Sequence, residues 1–382
     1  MFRIVARTVL CLLVTVFVSC KTVDTYYVYV GPYTNGDAEG IYVCELDLAT
    51  GALTKVGVRD GVVNPSFLAI HPSGDLLYAV SEVSNLDGKK TGGVAAFSID
   101  RATGNLTLLN IEPSHGTAAC HISLDESGRT ALVANYGGGT VSAFPIAMDG
   151  KLQAAASIMT HEGSSVAPNQ KSPHPHCVYT GPTNRFAFVS DLGIDQIVIY
   201  RLDAATGKLT PNEPAFAKLA PGSGPRHLDF HPSGKFAYVI NENNMTVTAF
   251  AYDAKSGALT EIETVSTLPE GTAHARGFST AESRAHPSGK FLYGSNRGHD
   301  SIVVYQVDQS TGRLTFVETE PTQGKTPRNF AIDPTGTYLL AENQSTSTIV
   351  VMKIDQTTGA LTPTGHTLEI PTPVCVRFLA KE

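Results

Sequence analysis

The sequence predicts an all-β protein, a seven-bladed β-propeller whose C-terminal strand completes the N-terminal blade. Two short turn motifs alternate along almost the whole chain of 382 residues. The segments between them are short and rich in β-branched and aromatic residues, and no long segment has the 3.6-residue apolar period of a helix. Four short antiparallel strands in a repeat of about fifty residues are typical of a propeller blade.

The first motif has the pattern Asp-x-x-Thr/Ser-Gly-x-Leu-Thr, in which Asp and Gly close a tight turn between two strands. Together with a shortened copy at Asp149, seven copies follow one another at a mean spacing of about 51 residues. This recurrence favours a structural turn over a phosphate-binding loop. The six full copies begin at Asp47, Asp100, Asp203, Asp253, Asp308 and Asp355.

The second motif is a Pro-Ser-Gly or related turn, followed by a run of β-forming residues. Each repeat therefore reads as strand a, this turn, strand b, a loop, strand c, the Asp-Gly turn and strand d. The turns occupy residues 71–74, 125–128, 181–184, 231–234, 286–289 and 333–336.

The two ends of the repeat region predict how the ring closes. Tyr26–Val30 and Gly40–Cys44 match strands b and c of a blade without strand a, whereas Val374–Phe378 matches strand a alone. We therefore expect six continuous blades and one composite blade, a closure that removes a free sheet edge. The chain contains no tryptophan, and so no Trp-Asp signature, which argues against an interaction propeller of the WD type.

Residues 1–20 predict export. Arg3 and Arg7 precede an apolar run from Thr8 to Val18, which fits a secretory signal peptide and is short for a membrane span. The run leads to Cys20 in a sequence that resembles a bacterial lipobox, so Cys20 is the predicted lipidation site; the alternative is an ordinary cleaved signal. The propeller is then expected to span residues 21–382. The protein would be a periplasmic or membrane-anchored bacterial lipoprotein, or a cytoplasmic protein if residues 1–20 are not a true signal.

Composition bears on the partners and on the cysteines. The chain has 28 Lys and Arg against 35 Asp and Glu, a formal charge of −7, which argues against a nucleic-acid partner. The four cysteines outside residues 1–20 show no Cys-x-x-Cys pair and no metal-ligand spacing, and they lie in strand-like runs. We therefore expect buried free thiols at Cys44, Cys120, Cys177 and Cys375.

Candidate site residues follow from counting outward from each Pro-Gly turn. Arg226 and Glu242 lie eight residues before and after Gly234, so we expect them to meet at the open end of one hairpin. Because strand a is innermost in a propeller, the equivalent positions open on one mouth of the central channel. Eight residues before each turn glycine, or its equivalent, stand Ser66, Cys120, His176, Arg226, Ala281 and Arg328. Eight residues after it stand Glu82, Tyr136, Leu192, Glu242, Arg297 and Gln344, and the residues just before these include Asn296 and Asn343.

Three arginines converge at this mouth although the chain is acidic. Arg226, Arg297 and Arg328 together suit a carboxylate or phosphate, which guanidinium groups bind through paired hydrogen bonds. The alternative is a polar plug in which Glu82 and Glu242 neutralise the arginines.

The segment before one strand a carries His174 and His176, two residues apart and so on one face of a strand. A zinc site needs three or four ligands, for which His121, His227 and His274 are possible additions, but no His-Glu-x-x-His frame is present. A general base or a hydrogen-bond donor beside a carboxylate is the favoured interpretation. No Gly-x-Ser-x-Gly elbow is present, so covalent catalysis is not favoured.

Several motifs taken together resemble those of the lactonase family of seven-bladed propellers, which includes propeller-type bacterial 6-phosphogluconolactonases and fungal carboxymuconate cyclases. The resemblance covers nearly the whole mature chain and implies no metal and no other cofactor. It implies functional roles for His176, Arg226, Arg297 and Glu242. The motifs are Tyr29–Thr34, the Asp-Gly repeats, Ser172–Val178, Gly224–Leu228, Asn241-Glu242, Ser295–Ser301 and Thr326–Phe330.

The expected function is hydrolysis of a sugar-type lactone with an anionic group, as in the conversion of 6-phosphogluconolactone to 6-phosphogluconate. Glu242 or His176 would activate water, and Arg226 and Arg297 would stabilise negative charge. The alternatives are an exported, non-catalytic propeller that binds a sugar acid or a protein partner, and a carboxymuconate-type cyclase. The export signal departs from the family pattern, because 6-phosphogluconolactone is cytoplasmic. The substrate-binding shell would contain His174, Arg328, Asn296, Asn343 and Glu82.

Overall fold

The computed structural model describes residues 23–34 and 36–381, so the predicted signal peptide and the lipidation site at Cys20 lie outside the described residues. Within the described part, the regular elements are β-strands arranged as seven four-stranded sheets. The predicted seven-bladed propeller is confirmed. The described residues include no helix long and apolar enough to span a bilayer.

The strands run in chain order around the ring. The first three are β1 (Thr25–Pro32), β2 (Ile41–Asp47) and β3 (Leu53–Arg59). Blades 2 and 3 contain β4 (Leu68–Ile70), β5 (Leu76–Ser81), β6 (Gly93–Ile99), β7 (Leu106–Pro113), β8 (Ala119–Leu124), β9 (Thr130–Asn135), β10 (Thr140–Pro145) and β11 (Ser157–Thr160). Blades 4 and 5 contain β12 (Pro175–Thr180), β13 (Phe186–Asp191), β14 (Gln196–Asp203), β15 (Lys208–Lys218), β16 (Pro225–Phe230), β17 (Phe236–Asn241), β18 (Thr246–Tyr252) and β19 (Leu259–Ser266). Blades 6 and 7 contain β20 (Ser279–Ala285), β21 (Phe291–Arg297), β22 (Ser301–Val307), β23 (Leu314–Pro321), β24 (Pro327–Ile332), β25 (Tyr338–Asn343), β26 (Thr348–Ile354) and β27 (Leu361–Glu369).

The last strand, β28 (Pro373–Ala380), closes the ring by completing blade 1. It pairs antiparallel with β1, and Tyr29 lies opposite Arg377. Both ends of the propeller therefore share one sheet, as the incomplete repeats predict, and β1 is paired on both sides, with β2 and with β28.

Each Asp-Gly turn also connects its blade to the preceding one. At the turn of blade 6, the Asp308 carboxylate accepts hydrogen bonds from the backbone of Ser310 at 2.8 Å and of Thr311 at 3.0 Å. Gly312 has φ +74°, and an added Cβ would lie 2.5 Å from the Phe236 ring of blade 5. Tyr238 of blade 5 donates a hydrogen bond to the Gly312 carbonyl at 3.1 Å. The motif recurs because this packing between blades recurs.

The core lies between neighbouring blades and consists largely of valine, isoleucine, leucine and aromatic side chains. One cluster joins Val28 and Val30 of blade 1 to Leu340 and Val351 of blade 7. The four described cysteines, at positions 44, 120, 177 and 375, are buried and free, which confirms the expectation of free thiols.

The innermost strands line a central channel with two mouths. The upper mouth is formed by the starts of these strands and the lower mouth by their ends. Between the two lies a middle layer, in which Phe67 of blade 2 and His227 of blade 5 have ring centroids 5.6 Å apart across the channel. Other members of the layer pack around them, so the middle layer separates the two mouths. The middle layer consists of Phe67, His121, His227, Glu282 and Asn329.

Candidate active site at the upper mouth

The predicted site residues of the innermost strands occupy β-bulges. In blade 5 the pairing register shifts between Pro225 and His227, so that Arg226 is the extra residue. The same shift places His176 at a bulge in blade 4 and Arg328 at one in blade 7. A bulge re-aims one side chain, and the preceding proline fits because the first residue of a strand can lack an N–H. These local irregularities direct the polar side chains of His176, Arg226 and Arg328 into the upper mouth.

Arg226 and Arg297 converge on a single oxygen of Glu242. Arg226 Nε lies 2.9 Å and Arg297 Nη2 lies 2.8 Å from Glu242 Oε2. Backbone carbonyls of β20 hold both guanidinium groups: Arg226 Nη1 donates to the carbonyl of Ala281 at 2.7 Å, and Arg297 Nη2 donates to that of Thr280 at 2.7 Å. The expected meeting of Arg226 and Glu242 is therefore confirmed, and an arginine of the next blade completes the cluster.

Glu242 has a lowered pKa and one oxygen without a hydrogen-bond partner among the described residues. Its side chain is 20% exposed, and Oε1 makes no hydrogen bond with any described residue. Burial alone would raise the pKa of Glu242, but the charges of Arg297 and Arg226 outweigh it and lower the pKa. Burial and the other arginines lower the pKa of Arg226 to about 10, which leaves it charged at neutral pH.

Arg328 is held differently from the other two arginines. Its Nη2 donates to the Tyr33 hydroxyl at 3.1 Å, and it forms no salt bridge with a described residue. Tyr33 in turn donates to Glu82 Oε2 at 2.9 Å, and Ser66 donates to the same oxygen at 2.5 Å. Glu82 therefore pairs with hydroxyl groups and leaves Arg328 without a carboxylate partner. Glu242 therefore neutralises Arg226 and Arg297, as the polar-plug alternative expects, whereas the binding of an anion by Arg328 stays a prediction.

His176 and His174 lie on two sides of Tyr136. The His176 ring makes an edge contact with Tyr136 at 5.6 Å, and His174 stacks on the same ring at 4.4 Å. Burial and the positive charge of Arg226 lower the pKa of His176 well below its usual range, so its imidazole is neutral. His174 Nδ1 lies 2.9 Å from the Tyr136 carbonyl. The two histidines do not converge on a common point, and no group of three or more His, Cys, Asp or Glu among the described residues could hold a metal ion.

Asn296 and Asn343 do not join the arginine cluster. Both side chains are buried, and each amide donates to a backbone carbonyl beyond the end of an outer strand: Asn296 to Thr267 at 2.9 Å, and Asn343 to Thr322 at 3.0 Å. Adjacent residues of a strand point to opposite faces. Since Arg297 points into the mouth, Asn296 points away from it and fixes a loop.

Sequence counting missed Tyr33 as a site residue. Tyr33 follows β1 in a loop with no turn to count from, although it belongs to one of the family-like motifs. It connects Arg328 to Glu82 and lines a narrow cavity of the mouth. The cavity is lined by Tyr33, Ser66, Phe67, Glu82, Cys120, His176, Arg226, His227, Arg328, Asn329 and Val374.

Comparison with known proteins assigns the family. Residues 27–378 match the model of the family described as lactonase, 7-bladed beta-propeller. The chain is 40% identical over 355 residues to the 6-phosphogluconolactonase of Bacillus subtilis, which covers 93% of this chain and 98% of the relative. It is 36% identical over 313 residues to a 6-phosphogluconolactonase of Formosa agariphila, covering 80% and 86%. The solved structure of the periplasmic gluconolactonase of Pseudomonas aeruginosa superimposes with a TM-score of 0.88 at 32% identity, covering 94% of this chain and 100% of that one. The chain therefore belongs to the family of seven-bladed β-propeller lactonases.

Proposed function

We propose that the protein hydrolyses a sugar-type lactone that carries an anionic group, and that the reaction takes place at the upper mouth. The observation that carries the proposal is the shared Glu242 carboxylate: Arg226 and Arg297 contact Oε2, and Oε1 remains free. Relatives described as 6-phosphogluconolactonases and as a periplasmic gluconolactonase support lactone chemistry.

The reaction needs a base, an acid and stabilisation of an oxyanion. Water attacks the lactone carbonyl carbon and loses a proton, and the carbonyl oxygen becomes negatively charged. When the carbonyl re-forms, the bond between this carbon and the ring oxygen breaks. The ring oxygen then takes up a proton and becomes the hydroxyl group of the open-chain acid. A lactone is reactive enough that general acid–base catalysis of about 10²–10⁴-fold and electrostatic stabilisation suffice.

Glu242 is suited to accept the proton from water through its free Oε1. Arg226 and Arg297 hold Oε2, so the carboxylate keeps one orientation, and their positive charges lie beside the position where the oxyanion forms. The neutral imidazole of His176 lines the narrow cavity beside Arg226 and Arg328, where it would donate to, or accept from, the reacting oxygens. Arg328, which has no carboxylate partner, binds the anionic substituent of the substrate.

The test measures hydrolysis of glucono-1,5-lactone and of its 6-phosphate by the purified chain from residue 21 onward. We expect Glu242→Gln to lower kcat/KM by about 10²–10³-fold, because the base is lost while shape is kept. We expect His176→Asn to lower kcat/KM about tenfold. A larger loss in His176→Asn than in Glu242→Gln would assign the base to His176.

The matched control is the ion pair between Arg313 and Glu263 on the outer face, whose atoms are 2.7 Å apart and whose arginine is 60% exposed. Glu263→Gln removes the same charge from the same residue type, far from either mouth, and leaves kcat/KM within about twofold. Turnover unchanged in Glu242→Gln would contradict the proposed site. Ligand binding without turnover in the unmodified chain would favour a non-catalytic propeller.

Export of the chain remains part of the proposal. The signal-like residues 1–20 support it, as does the relative described as periplasmic. An exported enzyme would meet an unphosphorylated sugar lactone or one with another acidic group. Cell fractionation of the tagged full-length chain, beside a Cys20→Ala variant, would show whether the protein leaves the cytoplasm and whether Cys20 anchors it.

A further inference from the structure

The lower mouth contains a second cavity, distinct from the proposed active site. Its volume is about 450 Å³, within the range of small-molecule sites. The walls are largely apolar because five of the seven innermost strands contribute hydrophobic residues there. The middle layer separates this cavity from the upper mouth. The apolar wall residues include Ile70, Pro72, Leu124, Pro287, Ile332 and Phe378.

Two arginines and a tyrosine form the floor of this cavity. Arg284 Nη2 donates to the Tyr179 hydroxyl at 2.8 Å, which leaves the tyrosine proton available to a ligand. Arg377 lies over the Phe67 ring at 4.6 Å and donates from Nη1 to the Val376 carbonyl at 2.6 Å. It forms no salt bridge with any described residue. The floor therefore combines a stacked guanidinium group with a hydroxyl donor.

Of the two floor arginines, Arg284 has a carboxylate partner, and Arg377 has none at salt-bridge distance among the described residues. Glu282 lies 3.4 Å from Arg284 Nε, but it is shared with the buried His227 at 3.0 Å. Glu342 is fully buried with both oxygens unpartnered, and burial raises its pKa well above the usual range, so it is neutral. Asp229 accepts backbone hydrogen bonds, and burial raises its pKa.

Two further acidic residues lie at the wall of the cavity. The Asp125 carboxylate already has several hydrogen-bond donors. It accepts hydrogen bonds from the backbone of Arg129 and Thr130 at 2.7 Å each, and from the Asn184 side chain at 2.9 Å. Glu126 is exposed to solvent at the rim. Neither contacts Arg377, so this guanidinium group lies beneath the apolar walls without a carboxylate at salt-bridge distance among the described residues.

We propose that the lower mouth is a second binding site, for a small organic carboxylate with an apolar body. Arg377 and the Tyr179 hydroxyl bind the carboxylate, and the apolar walls enclose the rest of the molecule. Inorganic phosphate or a polar sugar acid would satisfy the floor but would leave the walls without contacts. The proposal is independent of the lactone reaction, since it concerns the other end of the channel.

The test titrates the purified chain from residue 21 onward with benzoate, benzyl alcohol and inorganic phosphate by isothermal titration calorimetry. We expect saturable binding of one benzoate, with benzyl alcohol and phosphate each bound at least about tenfold more weakly. Arg377→Gln should weaken benzoate about tenfold or more, because a charge-assisted hydrogen bond is lost. Arg313→Gln, which removes an exposed arginine elsewhere, should change the affinity less than about twofold.

A second variant guards against a folding defect at Arg377. Ile332→Glu places a negative charge on the half-buried wall of the cavity without removing any buried ion pair, and we expect it to abolish benzoate binding. Because Ile332 also packs against the core between blades 6 and 7, the melting temperature should fall somewhat, and the far-UV circular dichroism spectrum should stay that of the unmodified chain. Loss of benzoate in Arg328→Gln but not in Arg377→Gln would place the ligand in the upper mouth and overturn the proposal. Absence of saturable benzoate binding, or phosphate binding of equal strength, would overturn it as well.

Discussion

Two carboxylates of the channel are held in opposite ways, Glu242 at the upper mouth and Glu282 in the middle layer. Glu282 is fully buried and both of its oxygens have partners: His227, Asn329 and the backbone of Ser283, besides Arg284. Glu242 is 20% exposed, and its two arginine contacts fall on one oxygen. The first arrangement uses the whole carboxylate to hold the blades together, whereas the second leaves half of it for a ligand or for water.

The difference has a physical basis in the cost of burying charge. A fully buried carboxylate that stays ionised must be compensated by partners, whereas one without partners, such as Glu342, has a raised pKa. Burial alone would raise the pKa of Glu282, yet Arg284 and His227 lower it to about 2. Glu242 has solvent access and so tolerates an unpartnered oxygen. A carboxylate with strong partners on one side only is therefore a better sign of a functional site than the mere presence of an ion pair.

The largest expected effect on stability comes from removing Glu282. Glu282→Ala leaves Arg284 and His227 in the channel without their shared partner, and we expect a loss of about 3–5 kcal/mol in the free energy of unfolding. Urea unfolding followed by circular dichroism measures this loss. Glu263→Ala removes an ion pair with a largely exposed arginine and one backbone hydrogen bond from Leu314, and it should cost less, about 1–2 kcal/mol. Equal losses in the two variants would show that Glu282 has no special structural role.

Arg328 tests the function of the upper mouth, because it is the arginine there without a carboxylate partner among the described residues. If it binds the anionic substituent, Arg328→Gln should raise KM for 6-phosphogluconolactone about tenfold. KM for the unphosphorylated lactone should change less than about twofold, and kcat for both substrates should stay similar. Steady-state kinetics on the two substrates measure the split. An equal rise in both KM values would assign Arg328 to the lactone ring rather than to the phosphate.

The fold could be predicted because its turns have strict chemical requirements that recur seven times. The Asp308 carboxylate must accept backbone N–H groups, and Gly312 must adopt a positive φ against the Phe236 ring of the preceding blade. Such positions leave a periodic mark in the sequence. The incomplete repeats at the two ends then predicted the composite blade that β1 and β28 form.

The site could be predicted only in part, because counting assumes regular strands. Arg226 and Glu242 were found since they lie at equal distances from one turn, but the bulge at Arg226 left no countable signal. The contact from Arg297 to Glu242 crosses between blades and depends on the ring geometry. Asn296 was placed in the binding shell because it lies beside Arg297 in sequence; the alternation of the strand turns it toward the Thr267 carbonyl instead.

The pH dependence gives the smallest expected effect and bears directly on the free oxygen of Glu242. The arginines outweigh burial and lower the pKa of Glu242, and burial lowers that of His176 well below its usual range. A group with a lowered pKa keeps its basic form to a lower pH, so either base is deprotonated throughout pH 5.5–7.5.

We therefore expect kcat/KM to change by less than about twofold over this range. A base with the ordinary histidine pKa of about 6.5 would lose about tenfold in rate between pH 7.5 and pH 5.5. The profile should be measured with glucono-1,5-lactone after subtraction of uncatalysed opening, because the 6-phosphate group itself titrates near pH 6. An acidic limb centred near pH 6.5 would contradict both Glu242 and the neutral His176 as the base, and would point to a residue outside the arginine cluster.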